Sequence, residues 1–224
     1  VLAIARREEL LRQMMVELEG CGAPEPRYAV LDVRDRHALD RVASDQAAFF
    51  TSADILVNNA GLARGKDFLC AGNEEDWDEM IDTNLKSVLS MIRRVVPGMI
   101  ARQRGHVVNI GSISGRDVYR GGGVYCATKF ALNAVTKTLR LEVLGTGVRV
   151  TSVDPGLVET EFSKVRFRDD SDKAAEPYRG LAPLTAEDVA RAVLYAVTQP
   201  AHVAVADLCL LPTDQASVAD TIRR

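Results

Sequence analysis

Short β-branched apolar runs alternate with longer stretches of helical spacing along the whole chain, and this alternation most limits what it can fold into. Val1–Ala5, Tyr28–Val33, Asp54–Val57, Gly105–Gly111, Gly147–Val153 and Asp207–Leu211 are of strand length and largely apolar. Between them lie stretches with apolar residues at helical intervals: Arg6 to about Gly20, Arg36–Phe50, Glu74–Gln103, Tyr125 to about Gly145, and Thr185–Thr198. Strands that alternate with helices predict an α/β fold, a doubly wound parallel sheet with helices on both faces. Thr185 followed by Asp188 is a capping-box-like helix start. Pro97-Gly98 predicts a bend or break in the long fourth helical stretch. Residues 157–184 are polar and irregular and are expected to form a lid that can hold short helices.

Composition narrows the class. The 224 residues with 47% hydrophobic content suit one globular domain spanning 1–224. A net charge of −3 carries no nucleic-acid footprint. No apolar run approaches the ~18 residues of a membrane span, and the start lacks a signal-peptide pattern. Cys21, Cys70, Cys126 and Cys209 are scattered, and His37, His106 and His202 lie far apart. The pattern points to no metal site and no disulfide framework, and it suits a reducing, cytoplasmic setting.

The chemistry is concentrated in Gly111-Ser112-Ile113-Ser114-Gly115 and Tyr125-Cys126-Ala127-Thr128-Lys129. Tyr125 and Lys129, four apart on a helix, share one face about a turn apart. A free phenol titrates near ~10, and a neighbouring ammonium favours the phenolate. Ser112, at the carboxyl end of a strand, can offer its hydroxyl to the same reacting oxygen. The set reads as a tyrosine acid/base, a tuning lysine and an orienting serine. A lone Tyr-x-x-x-Lys pair is more often a helix-surface contact. Here it comes with Asn58-Asn59-Ala60-Gly61 after an earlier strand and with Asn84 on the helix between.

Together these residues closely resemble the short-chain dehydrogenase/reductase family, across essentially the whole chain. The resemblance implies a Rossmann-like sheet and reversible hydride transfer, with Asn84, Ser112, Tyr125 and Lys129 as the catalytic set. Asn84 would bind a water that relays protons to Lys129. In such folds an acidic residue at the end of the second strand grips the ribose of NAD, whereas arginine accommodates the 2′-phosphate of NADP. Arg6 and Arg7 occupy that position, so NADP is expected over NAD. Asp32 and Val33 match the adenine edge. Asn59, Ala60 and Gly61 would let the backbone approach the cofactor. Pro155, Gly156, Val158 and Thr160 would border the nicotinamide, and Tyr125 and Lys129 would also touch the cofactor.

Particular pieces, among them Glu75-Asp76-Trp77, Met80-Ile81-Asp82-Thr83-Asn84 and Val165-Arg166-Phe167, resemble the NADP-dependent 3-hydroxy acid (serine 3-) dehydrogenase branch. The substrate implied is a small serine-like or 3-hydroxypropionate-like acid, bound at Ser112 and Tyr125. Arg166 and Arg116 are candidates for its carboxylate, because a guanidinium suits a carboxylate. Arg64, the charged loop Arg116–Arg120 and Gly123 depart from the branch beside the substrate mouth. A ketone or 3-oxoacyl reductase is the alternative within the class.

No Gly-rich turn follows a first strand; Gly121-Gly122-Gly123 precedes the Tyr125 helix instead. By resemblance a first βα unit, roughly 30 residues, is expected in the intact protein. Its absence from this stretch keeps open a non-catalytic binding or structural member. The family also implies a homotetramer or homodimer.

Overall fold

A computed structural model describes residues Val1–Arg224. β1 (Leu2–Ala5) leads through α1 (Glu8–Gly20) to β2 (Arg27–Val30), and α2 (Arg36–Asp45) and α3 (Ala47–Ser52) lead to β3 (Ile55–Asn58). Then come α4 (Glu74–Ile81), a π-helical turn at Asp82–Lys86, α5 (Ser87–Ala101) and β4 (Gly105–Ile110). A short turn at Ile113–Gly115 precedes α6 (Gly123–Glu142) and β5 (Val148–Pro155). α7 (Phe162–Arg166), α8 (Ser171–Ala175), α9 (Ala186–Val197) and β6 (Asp207–Leu210) complete the order.

Every strand pairing is parallel. β3-β4-β5-β6 form one sheet and β1-β2 another. The strands buried between helices lose the in–out alternation, as parallel strands do. His106, Val107, Val108 and Asn109 of β4 are buried in succession. One core cluster joins Val107 and Val150 to Val95, Val96 and Met99 of α5 and Leu139 of α6. β1 and β3 are not hydrogen-bonded to each other. Their edges face a cleft of about 680 Å³, lined by Leu2, Ile4, Ile55 and Val57 among others.

Two local expectations change. The helix expected over 36–50 divides at Gln46, which ends α2 and begins α3. Pro97 does not break its helix. It removes one N–H from the ladder, but burial of Val95, Val96 and Met99 carries α5 on to Ala101. The irregularity comes earlier, in the π turn, where Asn84 turns inward to the Leu62 backbone. Residues 157–184 hold two one-turn helices and a short 3₁₀ turn, and Val158 forms a parallel bridge with Leu184. The capping box is present: Asp188 N–H donates to Thr185 Oγ1, and Thr185 N–H donates to the Asp188 carboxylate.

Candidate active site

The parallel strands end along one edge of the molecule, and the singled-out residues follow those ends. β4 stops at Ile110, and Ser112 caps the next turn by accepting the Ser114 N–H at 3.1 Å. α6 presents Tyr125 and Lys129, both buried. Lys129 Nζ lies 5.9 Å from the Tyr125 ring centre and donates to the Ile110 carbonyl at 2.8 Å. Phe162 of α7 meets the Tyr125 ring edge-on at 5.6 Å.

The electrostatics of the protein alone run against the expected tuning. Burial raises the Tyr125 phenol above its ordinary value, and a hydrogen bond from Ser112 offsets only part of this. Burial also draws the Lys129 ammonium down to about 8. Desolvation disfavours the charged form of both groups, and Lys129 at that distance does not outweigh it. Tyr125 is thus a neutral phenol at neutral pH, fit to donate a proton.

Asn84 is 1% exposed. Its Oδ1 accepts the Leu62 N–H at 2.8 Å, and its Nδ2 donates to the Leu62 carbonyl at 2.8 Å and to Thr128 Oγ1 at 3.1 Å. Its contacts here are therefore with backbone and Thr128. Gly61 packs between: a Cβ there would stand 3.4 Å from Asn84 Oδ1 and 3.6 Å from Lys129 Nζ.

Two cavities divide the remaining residues. Ser112, Tyr125, Gly156, Val158 and Arg166 line a pocket of about 200 Å³. Arg6, Arg7, Asp32, Val33, Asn59, Ala60 and Gly61 line the cleft between β1 and β3. Arg6 stands 4.0 Å from Asp32, and Arg7 pairs with Glu161 at 2.6 Å. Asp32 is gripped by Arg34, whose hydrogen bonds hold its carboxyl below the usual range. Pro155 is buried at the end of β5. Thr160 lines neither cavity; its hydroxyl accepts the Phe162 N–H at the start of α7. Asn58 is structural, donating to Asn109 Oδ1 at 2.8 Å.

The two candidate arginines part company. Arg166 is 8% exposed and belongs to the pocket. Arg116 does not line it. Arg116 donates from Nε and from an NH₂ group to Asp154 Oδ2 at 2.8 and 2.6 Å, neutralising a fully buried carboxylate. Arg64 is a support: it donates to Glu79 at 2.6 Å and to the Val165 carbonyl, fixing α7. Two lining residues have no sequence signal, Lys66 and Gln215. Gln215 lies in an irregular tail yet accepts the Leu157 N–H at 2.8 Å.

The short chain dehydrogenase family pattern matches residues 1–171. The chain belongs to the short-chain dehydrogenase family. Among curated members, the NADP-dependent 3-hydroxy acid dehydrogenase YdfG of Escherichia coli K12 is 43% identical, with 100% of this chain and 89% of that protein covered. Sulfoacetaldehyde reductase 2 of Chromohalobacter salexigens is 40% identical, covering 100% of this chain and 88% of that protein. The closed form of a serine dehydrogenase complexed with NADP+ superposes with a TM-score of 0.92 at 43% identity, covering 100% of this chain and 89% of that one. This short-chain dehydrogenase is an oxidoreductase of the class that acts on CH–OH groups.

Proposed function

We propose that this chain is an NADP-dependent oxidoreductase of small 3-hydroxy acids, serine-like or 3-hydroxypropionate-like. One observation carries the reading: Ser112, Tyr125 and the buried Arg166 face the same small pocket. The two hydroxyls suit a reacting oxygen, and the guanidinium in the same pocket suits a carboxylate. The names of the relatives agree in substrate chemistry with that arrangement.

The residues present fit a nicotinamide dinucleotide phosphate in part. The cleft between β1 and β3 carries Arg6 and Arg7 for a 2′-phosphate and Asp32-Val33 for the adenine side. Asn59, Ala60 and Gly61 line the same cleft and would bring backbone up to the cofactor. Gly156 and Val158, which line the substrate pocket, would border the nicotinamide side, with Pro155 and Thr160 adjoining them in sequence only. The cofactor, when bound, accepts or supplies the hydride. The protein's own residues handle the proton. In reduction, Tyr125 gives its phenolic proton to the oxygen while Ser112 holds that oxygen in place. In oxidation, Tyr125 must first lose that proton, which the Lys129 ammonium favours. Asn84 positions the Leu62 backbone beside Gly61.

A neutral ketone is a weaker reading, because it leaves one buried nitrogen of Arg166 without a partner. A purely structural role leaves the whole hydroxyl–guanidinium arrangement unused. We further propose the single domain 1–224 with residues 157–184 as its lid. A homodimer or homotetramer is supported by exposed Leu89 on α5 and by Phe130 and Leu141 on α6. A cytoplasmic location is supported by four free cysteines. No helix is long and apolar enough to cross a membrane. NADP+ reduction with L-serine and 3-hydroxypropionate tests the reading, with Arg166→Ala alongside. The variant is expected to raise KM for both acids far more than for 1-propanol; an equal change for all three removes the assignment.

A further inference from the structure

Arg166 is only partly satisfied where it sits. Its Nε donates to the Gly65 carbonyl at 2.8 Å and one NH₂ group to the Tyr119 hydroxyl at 2.8 Å. The other NH₂ nitrogen is buried with no partner. A buried donor left unmade is costly, so this nitrogen marks where an acceptor belongs. Arg166 is also not the pocket's only cation. Lys66 and Arg223 stand at the exposed rim, and no acidic residue lines the pocket. Elsewhere around α7 the arginines are matched: Arg64 to Glu79, Arg116 to Asp154, Arg168 to Asp76. Lys66 makes no salt bridge; its Nζ lies 6.0 Å from the Phe167 ring centre, and Glu176 is the carboxylate that favours its charge. Desolvation, and then the nearby Arg166, pull its ammonium below the ordinary value.

We propose that the far end of the pocket binds a doubly charged terminal oxyanion, a phosphonate or phosphate monoester, and that Lys66 selects it over a single carboxylate. This rests on the reading that Ser112 and Tyr125 hold the hydroxyl of a short anionic alcohol. A carboxylate satisfies the free nitrogen of Arg166 and leaves Lys66 facing uncompensated positive charge. A tetrahedral group with a third oxygen and a second negative charge meets both cations at once. The cavity of about 200 Å³ limits the molecule to a short chain.

The compounds HO–CH₂–CH₂–X separate charge from shape, with X a carboxylate, a sulfonate or a phosphonate. At about pH 8 the phosphonate carries most of its second charge, as phosphate groups do. NADP+-dependent oxidation is expected to favour the phosphonate over the carboxylate in kcat/KM by about fivefold, the upper end for one solvent-exposed ion pair. Lys66→Met is expected to collapse that ratio to near one, and Lys66→Arg to keep it. Calorimetric binding of 2-hydroxyethylphosphonate reads the same contact without turnover. A sulfonate preference equal to the phosphonate's, or a ratio unmoved by Lys66→Met, overturns the proposal and leaves the 3-hydroxy acid reading standing. Phosphonate binding that weakens in Lys66→Met, with no acid oxidised, supports the anion site and sinks the hydride-transfer reading.

Discussion

Replacing Asn84 with Ala tests whether the π turn holds the site together. The side chain satisfies both the N–H and the carbonyl of Leu62 and adds a third bond to Thr128. At 1% exposure, water does not reach the vacated partners. Thr128 keeps its bond to the Tyr125 carbonyl, so the loss falls on Leu62. A buried backbone group left unpaired costs about 1–3 kcal/mol, so the two Leu62 groups together give about 2–6 kcal/mol. For a protein of this size that lowers Tm by roughly 4–24 °C, at about 2–4 °C per kcal/mol. Urea unfolding of the two proteins at pH 7 measures it. Because Leu62 adjoins Gly61, NADP affinity is expected to fall as well, read by NADPH fluorescence. A loss below about 1 kcal/mol refutes the pinning argument. Abolished turnover at wild-type stability would instead restore the proton-relay role.

Other outcomes follow from the same geometry. Tyr125→Phe is expected to abolish NADP-linked turnover, and residual activity above about one per cent of wild type would unseat the phenol as the proton donor. Arg116→Met removes the ion-pair partner of the fully buried Asp154 and leaves it the Ser152 hydroxyl; it is expected to cost about 1.5–3 kcal/mol in denaturant unfolding, with KM for 3-hydroxypropionate little changed. His106 is held neutral, its pKa drawn down to about 4 by burial and then by Arg149. The unfolded chain therefore binds the extra proton first, and stability is expected to fall as pH drops from about 6.5 towards 4; a flat profile contradicts this. Lys129, drawn down to about 8, carries its desolvation penalty in full below that pH and sheds it as pH rises towards the free lysine value. Lys129→Met is accordingly expected to be the more stable protein at pH 7, with the gap narrowing by about pH 10 in the same assay.

The strand order and the catalytic cluster were readable because both rest on local signals. The apolar run of Val107 and Val108 declares a strand, and the four-residue interval from Tyr125 to Lys129 declares a shared helix face. What escaped the sequence depends on contacts between distant segments. Nothing local marks Gln215, whose role exists only because the tail folds back onto Leu157. Arg116 and Arg166 are equivalent as residues, and only the position of Asp154 distinguishes them. Pro97 argued for a break, but apolar burial around it outweighed one missing hydrogen bond. The direction of the Tyr125 shift was misjudged because spacing shows a neighbouring charge but not the depth of burial.

The bond from the Leu157 N–H to Gln215 also bears on how the pocket can be altered. Val218, Ala219 and Thr221 line the pocket from the same segment. A change in this tail therefore acts on what the pocket admits, although it lies far in sequence from Ser112 and Tyr125.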